Sequence, residues 1–329
     1  MFGKQNSPLR LLPWKTRIAF TVYSCTIRGS AFRNDGTINR RLLNFINQIQ
    51  SHFHTAKVPS EPIDGLKISD VTVDPKRNLW FRLYTPTNIT TTPLPVFVYF
   101  HGGGFAYMSP DSKPFDTLCR RLSRDNSAVV VSINYRYSPE FKYPSQHEDA
   151  FDALKFIDKD SAGGNLSHHL AVRVAKTDND ELKQVKVIGL IGIQPFFGGQ
   201  ERTESEIKLK NGPALSLDRA DWFWKAFLPP GSNRDHFACN VFGPNCSQDI
   251  SKLKKFPPTM VVVGKWDLLQ DRQRRFYEGL KRFGKEAYIV EFPNAFHGFY
   301  SFTKFPETPL LFQEVTKFVQ NQLAKASGK

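Results

Sequence analysis

Five apolar runs constrain what this chain can fold into more than any other feature. They are "LPVFVYF" (94–100), "AVVVSINYR" (128–136), "VKVIGLIGIQP" (185–195), "TMVVVGKW" (259–266) and "EAYIVEF" (286–292). A strand with one face in water alternates apolar and polar residues, whereas a near-continuous run fits a parallel strand covered on both faces. Helix-period patterns lie between and after these runs, at 115–125, 145–158, 162–175, 271–284 and 308–325. Strand alternating with helix predicts an α/β fold, a doubly wound and mostly parallel central sheet with helices on both faces. Two earlier stretches, "LKISDVTVDP" and "LWFRLYTP", alternate and predict an antiparallel edge.

The ends and insertions divide the chain further. Residues 13–50 read as two amphipathic helices separated by "RNDGTINRR", where Asn34, Asp35 and Gly36 supply turn chemistry and Thr37 can cap the second helix. A polar, proline-containing linker follows at 51–65. The segment "SLDRADWFWKAFLPPG" (216–231) opens on a capping signal and closes on Pro-Pro-Gly between two core strands, as an inserted cap helix would. The expected organisation is a helical lid segment at 1–60 and a core at 61–329, with a cap region at 205–235.

Composition narrows the class. At 40% hydrophobic and 23% charged residues the chain is ordinary for a globular protein. Its net charge of +14 raises the question of nucleic acid. The densest basic group (Arg272, Arg274, Arg275, Lys281, Arg282, Lys285) has helical spacing, however, and reads as a solvated face, so no nucleic-acid partner is expected. Cys25, Cys119, Cys239 and Cys246 form no CxxC pair, so no metal is expected, and such sparse usage suits a reducing compartment. "WKTRIAFTVYSCTIRGS" is a weak signal peptide, and no stretch approaches the roughly 20 apolar residues of a membrane span. A soluble cytosolic or nuclear protein is expected.

Four features at strand ends carry the chemistry, where open α/β sheets bind ligands. "VYFHGGGFAYMSP" runs a strand straight into His101, Gly102, Gly103 and Gly104. Three glycines let backbone N–H groups converge on one point, which is how an oxyanion hole is built, each donor contributing roughly 3 kcal/mol in the transition state. "DSAGGN" places Ser161 before Ala162, Gly163 and Gly164 at a helix start, the display of a serine nucleophile, although Lys159 stands where a small residue is usual. Asp267 follows the run "TMVVVGKW", and Asp271 four residues on reads as a helix cap. His297 lies in the loop "EFPNAFHGFYSF" after the last strand. The order Ser, Asp, His is that of the α/β-hydrolase fold. In this reading His297 takes the proton of Ser161 as it attacks an ester carbonyl, and Asp267 holds the ring. Gly103, Gly104 and Ala162 donate to the oxyanion while Gly102 shapes the loop. Phe105, Tyr107, Phe196, Phe197, Trp222, Trp224 and Phe299 are candidates to line an apolar pocket for a small-molecule ester.

The stretches "FHGGGFAYMSPDS", "VVVSINYRYSPEFKYP", "DSAGGNLSHHLAVR", "IQPFFGGQERTESE" and "VVVGKWDLLQD" resemble the plant carboxylesterases of the hormone-sensitive-lipase type. That branch of the α/β hydrolases also gave rise to the gibberellin receptors, and the likeness runs from about residue 13 to 325. It implies an α/β-hydrolase fold, serine esterase activity, no cofactor, and a structural role for Arg136 and Glu140. The N-terminal helices resemble the receptors' hormone lid, which also recruits a repressor protein. A hormone-binding module is therefore the competing function. The receptors keep the serine but lack the catalytic histidine and have an altered glycine run; His297 and an intact HGGG favour the esterase.

One departure from the family matters. Roughly twenty residues that elsewhere supply the central strand before the serine, within a crossover of a dozen or more, are missing between "ALKFID" and "DSAGG". If 145–158 is helical it spans about 21 Å and no strand remains. If "ALKFID" is instead the strand, Lys155 and Asp158 sit badly in a sheet covered on both faces. The expected result is a poorly packed sheet centre and weak or absent catalysis.

Overall fold

The computed structural model describes residues 7–26, 31–49, 54–89, 94–157, 164–176, 187–245 and 249–328. Seven strands carry the fold among them: β1 (Leu66–Asp74), β2 (Leu79–Pro86), β3 (Val96–Phe100), β4 (Val129–Ile133), β5 (Leu190–Ile193), β6 (Thr259–Gly264) and β7 (Ala287–Phe292). The helices are α1 (Trp14–Thr26), α2 (Arg40–Ile49), α3 (Lys113–Asp125), α4 (Ser145–Ile157), α5 (Gly164–Lys176), α6 (Glu204–Lys208), α7 (Leu217–Phe227), α8 (Gln270–Arg282) and α9 (Glu307–Ala326). The five apolar runs all become parallel-paired strands. The two alternating stretches become the antiparallel pair β1–β2, with β2 also antiparallel to β4.

The sheet is divided. One part has the order β1-β2-β4-β3 and the other β5-β6-β7, and among the described residues no strand pairs β3 with β5. The residues "ALKFI" remain helical as the end of α4, so they do not supply the missing strand. Residues 158–163, which include Ser161 and Ala162, lie outside the described residues.

Side-chain alternation explains why the two parts still form one body. Phe97 and Tyr99 of β3, Val130 of β4, and Met260 and Val262 of β6 face one side. There they share a single core with Phe115, Leu118 and Leu122 of α3 and Phe312, Val315 and Phe318 of α9. Their sequence neighbours point to the opposite face, as the two-residue period of a strand requires. Here α5 spans the division. Its Leu166 and Leu170 pack with Val98, Phe100 and Val131, whereas its Ala171 and Val172 pack with Leu190, Val261 and Val263.

Candidate active site

The C-terminal ends of β3 and β5 and the loop after β7 line a cavity of about 220 Å³. That exceeds the roughly 150 Å³ at which an apolar cavity accepts benzene. After β3 the chain enters the glycine turn, with Gly103 at φ 113° and Gly104 at φ 58°. Neither position has room for a side chain. A Cβ on Gly103 would stand 2.0 Å from the Tyr107 carbonyl oxygen, and one on Gly104 would stand 2.5 Å from the Phe223 ring. Gly102, Gly103 and Gly104 all line the cavity. Among the described residues the N–H groups of Gly103 and Gly104 donate to nothing.

His101 anchors this turn from beneath. Its ring stacks on Tyr135 with centroids 4.3 Å apart, and the Tyr135 hydroxyl donates to the His101 carbonyl at 2.7 Å. Burial pushes the His101 pKa down to about 4, so the ring is neutral at physiological pH.

Across the cavity the loop after β7 presents His297. Its Nδ1 lies 2.8 Å from Oδ2 of Asp267, which follows β6. Asp267 is fully buried. Its Oδ1 accepts from the Leu269 N–H at 2.9 Å, and its Oδ2 also accepts from Gln273 Nε2 at 2.9 Å. A carboxylate held by three donors has one orientation, and it fixes the imidazole tautomer with the proton on Nδ1. Nε2 of His297 then has no partner among the described residues, and His297 lines the cavity. Asp271 lies in the first turn of α8 and accepts from the Ser205 N–H at 2.8 Å, so it belongs to the α6–α8 contact.

Gln194, one residue past β5, is a site residue that sequence reasoning missed. Its side chain accepts from the Gly298 N–H at 2.8 Å and donates to the Phe296 carbonyl at 3.1 Å, gripping the chain on both sides of His297. Its own backbone adopts φ 47°, an unusual conformation for a residue with a side chain. Gln194 falls within the stretch "IQPFFGGQERTESE", but nothing in that stretch announces a contact with the loop that carries His297.

Of the apolar candidates, Phe105, Tyr107 and Phe196 line the cavity. The others pack elsewhere because larger aromatic surfaces claim them. Phe197 lies against Phe276, Trp224 stacks on Phe196 from behind, and Phe299 is sealed against Phe292. Trp222 donates to the Arg33 carbonyl at 2.8 Å and meets the Phe32 ring edge-on. Phe20 and Ser24 of α1, Arg219 and Phe223 of α7, and Asn165 of α5 complete much of the wall. Arg136 is bound to Asp149 at 2.8 Å and Glu140 to Arg40 at 3.0 Å, both remote from His297 in role. Among the described residues no group of three or more His, Cys, Asp or Glu is placed to hold a metal, and no helix is long and apolar enough to cross a membrane.

Comparison with known proteins places this geometry in context. Residues 97–301 match the family described as having the alpha/beta hydrolase fold. Gibberellin receptor GID1C of Arabidopsis thaliana is 37% identical over 320 residues, covering 87% of this chain and 88% of the receptor. Carboxylesterase 20 of the same plant is 32% identical over 280 residues, covering 77% and 83%. The hyperthermophilic esterase of the archaeon Pyrobaculum calidifontis superposes with a TM-score of 0.71 over 93% of this chain and 98% of its own, at 23% identity.

Proposed function

The chain belongs to the α/β-hydrolase fold family, and from that premise we propose that it is a serine carboxylesterase acting on small to medium esters. The observation that carries the reading is the buried Asp267 carboxylate holding His297 at 2.8 Å, on a cavity that the Gly102–Gly104 turn also lines. A base with a fixed tautomer and a set of unspent N–H donors are two of the three parts of acyl transfer. The third is Ser161, three residues ahead of α5, whose Asn165 and Leu166 line the same cavity. Ser161 attacks the ester carbonyl and passes its proton to Nε2 of His297. The oxyanion is received by the N–H groups of Gly103, Gly104 and Ala162. His297 then protonates the leaving alcohol, and water repeats the sequence on the acyl-enzyme.

Turnover of p-nitrophenyl butyrate tests this. The wild type should exceed both Ser161→Ala and His297→Ala in kcat/KM, by less than the roughly hundredfold or more of an intact triad, since no described strand leads into Ser161. A wild-type rate no higher than that of Ser161→Ala would sink the reading.

A gibberellin-receptor-like role is the second reading, supported by the receptor relatives and by α1. That helix puts Phe20 and Ser24 onto the cavity. It leaves Trp14, Ile18 and Val22 exposed at 61%, 54% and 52%, four residues apart and so on one stripe. Under this reading gibberellin binds the cavity and the stripe receives a protein. Gibberellin-dependent capture of a repressor protein, without Ser161-dependent turnover, is the result that would favour it.

A further inference from the structure

Arg219, in the first turn of α7, is 7% exposed and lines the cavity. Its Nε and Nη2 atoms are shut off from water and have no hydrogen-bond partner among the described residues. The guanidinium carbon lies 5.0 Å from the Phe32 ring centroid, 5.2 Å from that of Tyr107 and 5.4 Å from that of Phe223. Its helix neighbour Asp221 is already engaged by Arg202 and Arg234. No Asp or Glu is among the described residues that line the cavity. A guanidinium cannot shed its charge, and aromatic faces return less than the removal of a cation and its donors from water costs. Unmet donors of this kind at a cavity wall are met by whatever the cavity holds.

We propose that Arg219 is the anion receptor of this cavity, and that the ligand or ester bound there carries a carboxylate. The fork of a guanidinium matches the two oxygens of a carboxylate, and the surrounding rings exclude water from the pair. One cation among the described lining residues balances a monoanion and leaves a phosphate dianion under-neutralised. The remaining wall is largely apolar, so the carboxylate sits at one end of an otherwise hydrophobic molecule. The inference uses the same cavity as the esterase reading and adds the substrate class.

Thermal melting tests it without requiring turnover. Wild type and Arg219→Met are melted alone and with monomethyl succinate, dimethyl succinate or inorganic phosphate. Monomethyl succinate should raise the wild-type Tm, and neither the uncharged diester nor phosphate should match it. Arg219→Met should lose that shift and, freed of an unpaired buried charge, melt at or above the wild type without ligand. An equal shift from phosphate or the diester, a shift retained in Arg219→Met, no shift at all, or a lower unliganded Tm in Arg219→Met overturns the proposal.

A second arm uses esters. The kcat/KM ratio of p-nitrophenyl hemisuccinate to p-nitrophenyl butyrate should fall about tenfold or more in Arg219→Met. An unchanged ratio overturns the proposal. Absence of turnover on both esters counts against the esterase reading and leaves the melting result to decide.

Discussion

At the scale of single residues, the candidate site contains positions where no other side chain fits. Gly104 is one. With φ 58° and a prospective Cβ 2.5 Å from the Phe223 ring, Gly104→Ala must shift either the turn or α7. A loss of about 1–3 kcal/mol is expected in urea denaturation, with a lower midpoint. An unchanged midpoint would show that the turn yields freely. Gln194→Leu removes the grip on Gly298 and Phe296, leaving two backbone groups unmet at a cost of about 1–3 kcal/mol each where they stay dry. Under the esterase reading Gln194 is a positioning residue for His297, so kcat for p-nitrophenyl butyrate should fall with KM little changed; a loss confined to KM would contradict that role. The contact between Asp267 and His297 was legible in the sequence because a chain order pairs them. Gln194 and Arg219 were not, since their partners come from β7 and from three separate aromatic positions that only folding brings together.

At the scale of elements, α4 and α5 carry a pH dependence. His147 of α4 and His168 and His169 of α5 lie together, with ring centroids 4.9 Å apart for the first and last and 5.3 Å for the adjacent pair. Both ring nitrogens of His147, Nδ1 of His168 and Nε2 of His169 are buried without partners among the described residues. Burial, then mutual repulsion, pushes the pKa values of His147 and His168 well below 6.5, and burial pushes that of His169 down to about 4. A folded-state pKa below the unfolded value means the unfolded chain binds protons first as pH falls. The stability from keeping these rings neutral is therefore complete above about pH 6.5 and drains away towards pH 4. Urea midpoints should fall steeply between pH 7 and pH 5, and less so in His147→Phe/His168→Phe. Parallel profiles for the two proteins would refute this. The same helix supplies a packing test. Leu170 is 4% exposed beside Val98 and Phe100, and Leu170→Ala should cost about 2–5 kcal/mol. Helix and strand positions were readable from period and apolar runs, but the role of α5 across the division was not, because nothing in an amphipathic pattern says which strands its face will meet.

At the scale of the whole molecule, the sheet is divided between β3 and β5 among the described residues. The alignment with the Arabidopsis receptor runs over 320 positions but takes in 87% of the 329 residues here, about 286, so the receptor carries residues without a counterpart in this chain. Inserting a crossover and an apolar strand between Asp158 and Asp160 should join the two sheets, raising both the urea midpoint and ester turnover. Equal values with and without the insertion would show that the division costs nothing. The break also has a consequence for how copies of this chain meet. β3 and β5 each end their sheet, and residues from both line the cavity. Each therefore offers a row of main-chain donors and acceptors not taken up by a described strand. An unpaired sheet edge offers an incoming strand a ladder of hydrogen bonds. Among the described residues the inner edges of β3 and β5 are therefore sheet edges in addition to the outer rims of β1 and β7.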